Sequence, residues 1–219
     1  MRGRVRMMSS ARTSLHFPDM VPVASGDSVA RLWVEAVPRK SYFRSTDVPG
    51  SRLAVDSVLS RLAVDGGPVM RVRNGLYWKK PPATRFGTAR PDPVAAALVV
   101  VGKGAGPSGW LAANALGLAM QVPARPTLAI VGRAPKGLLG VAFTSRSNLA
   151  RLSLTPLEVA VLEVLRDLPR FSEVPWPDTV RRLRALGDDG IVDLNRVAEV
   201  ACTEHRAGVR DRVRELLAA

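Results

Sequence analysis

Histidine and cysteine are nearly missing from this chain: its 219 residues hold only His16, His205 and Cys202. One thiol excludes an internal disulfide framework and every multi-cysteine metal site, which fits a reducing cytoplasm. A zinc centre or a histidine-based triad would have to draw on one of two imidazoles, and neither sits in a suggestive setting. Long hydrophobic runs are also lacking. The longest, Val94 to Val101, is too short to span a bilayer, and the basic start MRGRVRMMSS leads into no apolar segment of the kind a signal peptide needs. Carboxylates do not cluster: Asp188-Asp189 occupies a Gly-flanked turn, and the others lie singly on amphipathic stretches. These absences speak against an enzyme, a cofactor, a metal and a membrane partner.

Positive charge is abundant. Lys and Arg number 32 against 19 Asp and Glu, a formal charge of +13, and the isoelectric point is near 11.3. Such a balance favours a polyanionic partner. The excess is unevenly placed: residues 1–90 carry 16 cations against 6 anions, net +10, whereas 91–219 carry 16 against 13, net +3.

The chain divides into a flexible basic leader (1–26), a small domain (27–85) closed by Pro81-Pro82, and a larger one (86–219). The fold class expected is α+β, a winged helix-turn-helix followed by a mixed α/β domain with a short sheet and several helices. In the small domain Asp27 or Ser28 caps a helix through Val37, with Val29, Leu32, Trp33 and Ala36 inward. Tyr42-Phe43 follows as a short strand or anchor, and Ser45-Thr46-Asp47 opens a short helix ended by Pro49-Gly50. Ser51 caps the next helix. Leu53, Val55, Val58, Leu59 and Leu62 give it one buried face, leaving Arg52, Ser57, Ser60 and Arg61 outside, and Gly66-Gly67-Pro68 stops it. Val69 to Lys79 alternates around Asn74-Gly75, a tight-turn signal in which both central residues take positive φ. Arg71, Arg73, Lys79 and Lys80 make this wing basic.

In the larger domain Asp92-Pro93 opens the helix PVAAALVVV, whose all-round apolarity predicts full burial. Gly102 to Gly109 resembles a phosphate-cradling loop only loosely: Lys103 comes too early for a P-loop, and the Rossmann spacing fails. A flexible turn is the plainer reading. Helices are expected over Ser108–Leu116, from Thr155 to about Leu168, near Thr179–Leu186, Asp193–Cys202 and Gly208–Leu217, with strands at Thr127–Val131 and Leu138–Phe143. Thr155-Pro156-Leu157-Glu158 is a capping box. Arg206, Arg210 and Arg214 form a stripe best explained by local salt bridges, and Trp78, Trp110 and Trp176 read as core anchors.

Two blocks in order, YFRSTDV with its following helix and RVRNGLYW, then GPSGWLAANALGLAMQVPARPTLAIVG, resemble the antitoxins of AbiE-type (type IV) toxin–antitoxin systems, roughly from Ala36 to Phe143. The resemblance implies a winged helix-turn-helix that represses its own operon and a second domain that opposes a nucleotidyltransferase toxin, directly or indirectly. The implied partners are double-stranded operator DNA, with inverted repeats and room for dimerisation, and that toxin. Arg52, Ser57, Ser60 and Arg61 would face the major groove, with Arg44 and Ser45 beside them. Arg71, Arg73, Asn74, Lys79 and Lys80 would form the wing on the backbone or minor groove. Asn114 and Gln121 belong to the second block without a separable role. The rival is a winged-helix transcriptional regulator with a ligand-sensing second domain.

Overall fold

Two runs of elements follow one another along the chain, each with its own sheet and apolar core. The structure, a computed structural model, describes residues 26–85, 87–138 and 140–219. The expected leader therefore lies outside the described residues, apart from Gly26.

The first run is α1 (Gly26–Ala36), β1 (Tyr42–Arg44), a 3-10 turn (Ser45–Asp47), α2 (Arg52–Leu62), β2 (Val69–Arg73) and β3 (Leu76–Lys79). β3 lies between β1 and β2 and is antiparallel to both. Ala30 and Val34 of α1, Val55, Val58 and Leu59 of α2, Phe43, Val48, Val69 and Tyr77 form the core. Phe43 stacks on Tyr77 at 5.8 Å and meets Trp33 edge-on at 5.6 Å. That aromatic group sets the rotation of α1, so Leu32 and Ala36, expected inward, are exposed. The expected second helix shrinks to a single 3-10 turn, which the Asp47 carboxylate closes by accepting the Arg44 N–H at 2.7 Å.

The hairpin turn also differs from expectation. Gly75 has φ 74°, but Asn74 is not left-handed, because Lys40 alone among described non-glycine residues has positive φ. The strand register instead shifts between Arg71 and Arg73, a bulge that supplies the bend a second left-handed residue would have given.

The second run is α3 (Pro93–Val101), β4 (Gly106–Ser108), α4 (Trp110–Ala115), β5 (Thr127–Val131), β6 (Ala142–Arg146), a 3-10 turn (Leu149–Ser153), α5 (Pro156–Arg166), α6 (Leu168–Phe171), α7 (Trp176–Asp188), α8 (Leu194–Cys202) and α9 (Ala207–Ala218). β5 is central, antiparallel to β4 and parallel to β6. Its alternation places Leu128 and Ile130 in a core shared with Ala97 of α3, and Ala129 in the larger core built around α5. The sheet is thus sandwiched between α3 on one face and the α5 layer on the other. α5 is buried at every position from Glu158 to Leu165. Its capping box forms as expected, with Glu158 accepting the Thr155 N–H at 2.8 Å.

Three expectations are corrected here. α3 is not fully buried: only Ala96 and Ala97 are, because it covers one face of a three-stranded sheet and has no second layer above it. The last strand begins at Ala142 rather than Leu138, a shift the parallel pairing requires, since Thr127 aligns with Ala142. The glycine run is no flexible turn, since Gly104 to Ser108 are all buried and three of these residues form β4. Glycine is needed there because α5 crosses so closely. A Cβ on Gly106 would sit 2.3 Å from the Pro156 carbonyl oxygen and 2.7 Å from Val159 Cβ. Gly106→Ala is expected to destabilise the fold by about 2 kcal/mol or more, as overpacking does, measurable as a lower urea midpoint. A midpoint within error of wild type would show that β4 and α5 can separate freely.

Candidate nucleic-acid interface and a buried charge cluster

α2 presents one uncovered face. The Ser51 hydroxyl accepts the Ala54 N–H at 3.3 Å and caps the helix. Val55, Val58 and Leu59 are buried, while Arg52, Ser57, Ser60 and Arg61 are exposed, as the sequence pattern requires. The Arg52 side chain is 94% exposed and approaches only Asp56, at 3.9 Å. Arg61 is less free. Its guanidinium bridges to the Asp27 carboxylate of α1, and its Nε donates to the Ser57 carbonyl at 3.3 Å. Leu53, expected in the core, is instead 84% exposed.

The hairpin beside it divides its polar residues between surface and scaffold. Arg71 is exposed and donates to the exposed Asn74 Oδ1 at 2.9 Å, stiffening the tip. Ser45 is half-buried under the turn, where its N–H donates to the Gly75 carbonyl at 3.0 Å. Arg73 and Lys80 are half-buried. Lys79 departs from the expected wing position. It is 8% exposed, and its Nζ donates to the Val34 carbonyl at 2.9 Å, one of the carbonyls left open at the end of α1. Burial pushes its ammonium below the usual 10.5, partly opposed by the charge of Glu35.

Arg44, although exposed, is also held by the chain itself. Its Nη2 donates to the Val99 carbonyl at 2.7 Å near the end of α3, where a cation meets the negative end of the helix dipole. Tyr42 donates its hydroxyl to the Asp92 carbonyl at the other end of α3, at 2.7 Å. Burial, and then the Asp92 charge, push that phenol up to about 12. β1 therefore holds α3 at both ends.

A second polar centre, with no counterpart in the sequence reading, lies inside the larger core. Arg151 is fully buried. Its Nη1 donates to Glu163 at 2.7 Å and its Nε to Glu204 at 2.6 Å. Glu163 also accepts from Arg146 Nε and the Ser108 hydroxyl, each at 2.9 Å. Glu204 accepts from Asn148 at 2.9 Å and Arg166 at 3.0 Å. Burial pushes the carboxyls of both Glu163 and Glu204 up, yet the surrounding guanidinium donors, led by Arg146 for Glu163 and Arg151 for Glu204, hold each below its ordinary value. The signal was present in PLEVAVLEVLR, where two glutamates interrupt a helix otherwise apolar up to its last residue. Buried carboxylates need cations, but which arginines supply them is a matter of three-dimensional packing.

The remaining candidates sit in ordinary roles. Asn114 donates to the Ala119 carbonyl at 3.3 Å and holds the turn after α4, and Gln121 is exposed. Arg214 pairs with Asp211 within α9, but Arg206 reaches Asp167 of another segment. Cys202 and His205 are exposed. Among the described residues no group of His, Cys, Asp or Glu could hold a metal, and no helix is long and apolar enough to cross a membrane.

No protein-family model matches the chain, and no curated protein matches it. Among solved structures it is similar to the crystal structure of the RV2827C protein from Mycobacterium tuberculosis, with a TM-score of 0.44 and 17% identity over 88% of this chain and 76% of that one. A likeness at that level carries no argument about function.

Two outcomes follow. Glu163 and Glu204 have depressed folded-state values, so their contribution to stability is present above the unfolded carboxylate value and is lost as pH falls through the folded one. Wild-type stability should therefore fall on acidification below the ordinary 4.5. Glu163→Gln, less stable at neutral pH, should show a shallower acid loss in urea melts. Equal slopes for the two proteins would rule out a paired, charged Glu163. Lys79→Met should lower stability by about 1–3 kcal/mol, the cost of an unsatisfied buried carbonyl, read as a shift in thermal midpoint.

Proposed function

We propose that this chain is a cytoplasmic AbiE-type antitoxin that binds operator DNA to repress its own operon and opposes a nucleotidyltransferase toxin. In this reading residues 27–85 are a winged helix-turn-helix. Helix, strand, short turn, helix and hairpin, with the first strand added beside the last, is the order such a domain uses. The observation that carries the DNA half is the outer face of α2, where Arg52, Ser57 and Ser60 stand free of the core, followed in the chain by a hairpin that exposes Arg71 and Asn74. Arg can read guanine edges with two donors, and Ser more often fixes phosphates. Lys79 is left out of base reading, since its ammonium is buried against the Val34 carbonyl, whereas Arg44 and Arg61 would first have to release the Val99 carbonyl and the Asp27 carboxylate.

The antitoxin half rests on the resemblance of the two sequence blocks. Separate cores for the two runs of elements support a division of labour, with DNA taken by the first and the toxin opposed through the second. Inverted repeats in the operator would bring two copies together on one duplex.

Fluorescence anisotropy on the DNA upstream of the gene and on a scrambled duplex, across a salt series, tests the repressor function. Preference for the upstream duplex at physiological salt is expected. Arg52→Ala should cost about 1–3 kcal/mol on the upstream duplex and little on the scrambled one. Equal loss on both would defeat base reading by Arg52.

A further inference from the structure

We infer that Leu53 reads thymine: its side chain contacts the 5-methyl groups of thymines in the major groove, an inference that rests on the DNA-binding role proposed above. Periodicity alone assigns Leu53 to the core. The structure turns it outward in the first turn of α2, 84% exposed, while Val55, Val58 and Leu59 fill the core without it. At roughly 100° per residue, Leu53 and Ser60 project within about 20° of each other. They mark the middle of the exposed stripe, and Arg52, Asp56 and Ser57 flank them.

One apolar side chain ringed by donors and acceptors matches the edge that DNA offers. In the major groove hydrogen-bonding groups alternate with a single apolar feature, the thymine methyl, and the minor groove has no such group. Arg52 supplies a donor pair for guanine, and Asp56 an acceptor for the cytosine amine. A protein partner fits this face less well, because one leucine among four polar residues offers little apolar area. The net charge of +10 over residues 1–90 also selects a polyanion.

The test compares the full chain and Leu53→Ala on two duplexes, the upstream DNA and the same DNA with every thymine replaced by deoxyuridine, which removes only the methyl groups. Because Leu53 is exposed and Ala is the better helix former, the variant keeps the fold. Wild type should bind the deoxyuridine duplex about fourfold more weakly for each methyl contacted, by the usual value of a buried methyl. Leu53→Ala should bind the thymine duplex more weakly than wild type does and show no further loss on the deoxyuridine duplex, the non-additivity of a direct contact. Upstream preference by wild type that survives thymine replacement unchanged overturns this inference alone. Equal methyl sensitivity in both proteins also overturns it, since the methyls would then be read elsewhere. Equal wild-type binding to upstream and scrambled DNA overturns the operator function, and this inference with it.

Discussion

A guanidinium sealed inside the larger core constrains everything around it. Arg151 comes from the 3-10 turn after β6, Glu163 from the middle of α5, and Glu204 from the link between α8 and α9. Ser108 of β4 and Arg146 of β6 join at Glu163, and Asn148 and Arg166 join at Glu204. Removing these charges from water costs several kcal/mol per ion, and only close, multiply hydrogen-bonded pairing offsets that. Sheet and helices must therefore meet in one register: a shift of any element by a residue would strand a buried charge. The close crossing of β4 and α5, which only glycine at 106 permits, brings the Ser108 hydroxyl within 2.9 Å of Glu163.

The first run of elements uses its cations in a different way. Lys79 is spent on the open end of α1, Arg61 on Asp27, and Arg44 on the open end of α3. Of these three cations only Lys79 is buried. Arg52 and Arg71, with the serines of α2 and Asn74 at the hairpin tip, face solvent, as do Arg31, Arg39 and Lys40 elsewhere in this run. Arg44 and Tyr42 meanwhile hold α3 by both ends, so the edge strand of the first sheet is physically continuous with the cover of the second sheet.

Much of this was legible in the residues. Ser51, Asp92 and Thr155 cap the helices they precede, because a side-chain oxygen can satisfy open N–H groups only at a helix start. β5 spans Thr127–Val131, as its β-branched run suggested. The misplacements share one cause. Leu32, Leu53 and the valines of α3 were assigned by hydrophobicity, which says that a side chain can be buried but not whether a partner arrives to bury it. The glycines between 102 and 109 suggested looseness, whereas Gly104 and Gly106 are there because the Arg151 carbonyl and α5 approach too closely for a side chain.

Local chemistry, then, was determined by sequence alone: where α2, α3 and α5 begin, where the chain reverses at Asn74-Gly75, and where positive charge accumulates. Which charges remain outside was decided only by tertiary structure. Lysine 79 and arginine 52 are both cations in the basic half, yet one is locked against a carbonyl and the other stands in solvent. The difference arises because a long side chain takes its role from whatever lies within its reach after folding, and sequence spacing does not encode that distance.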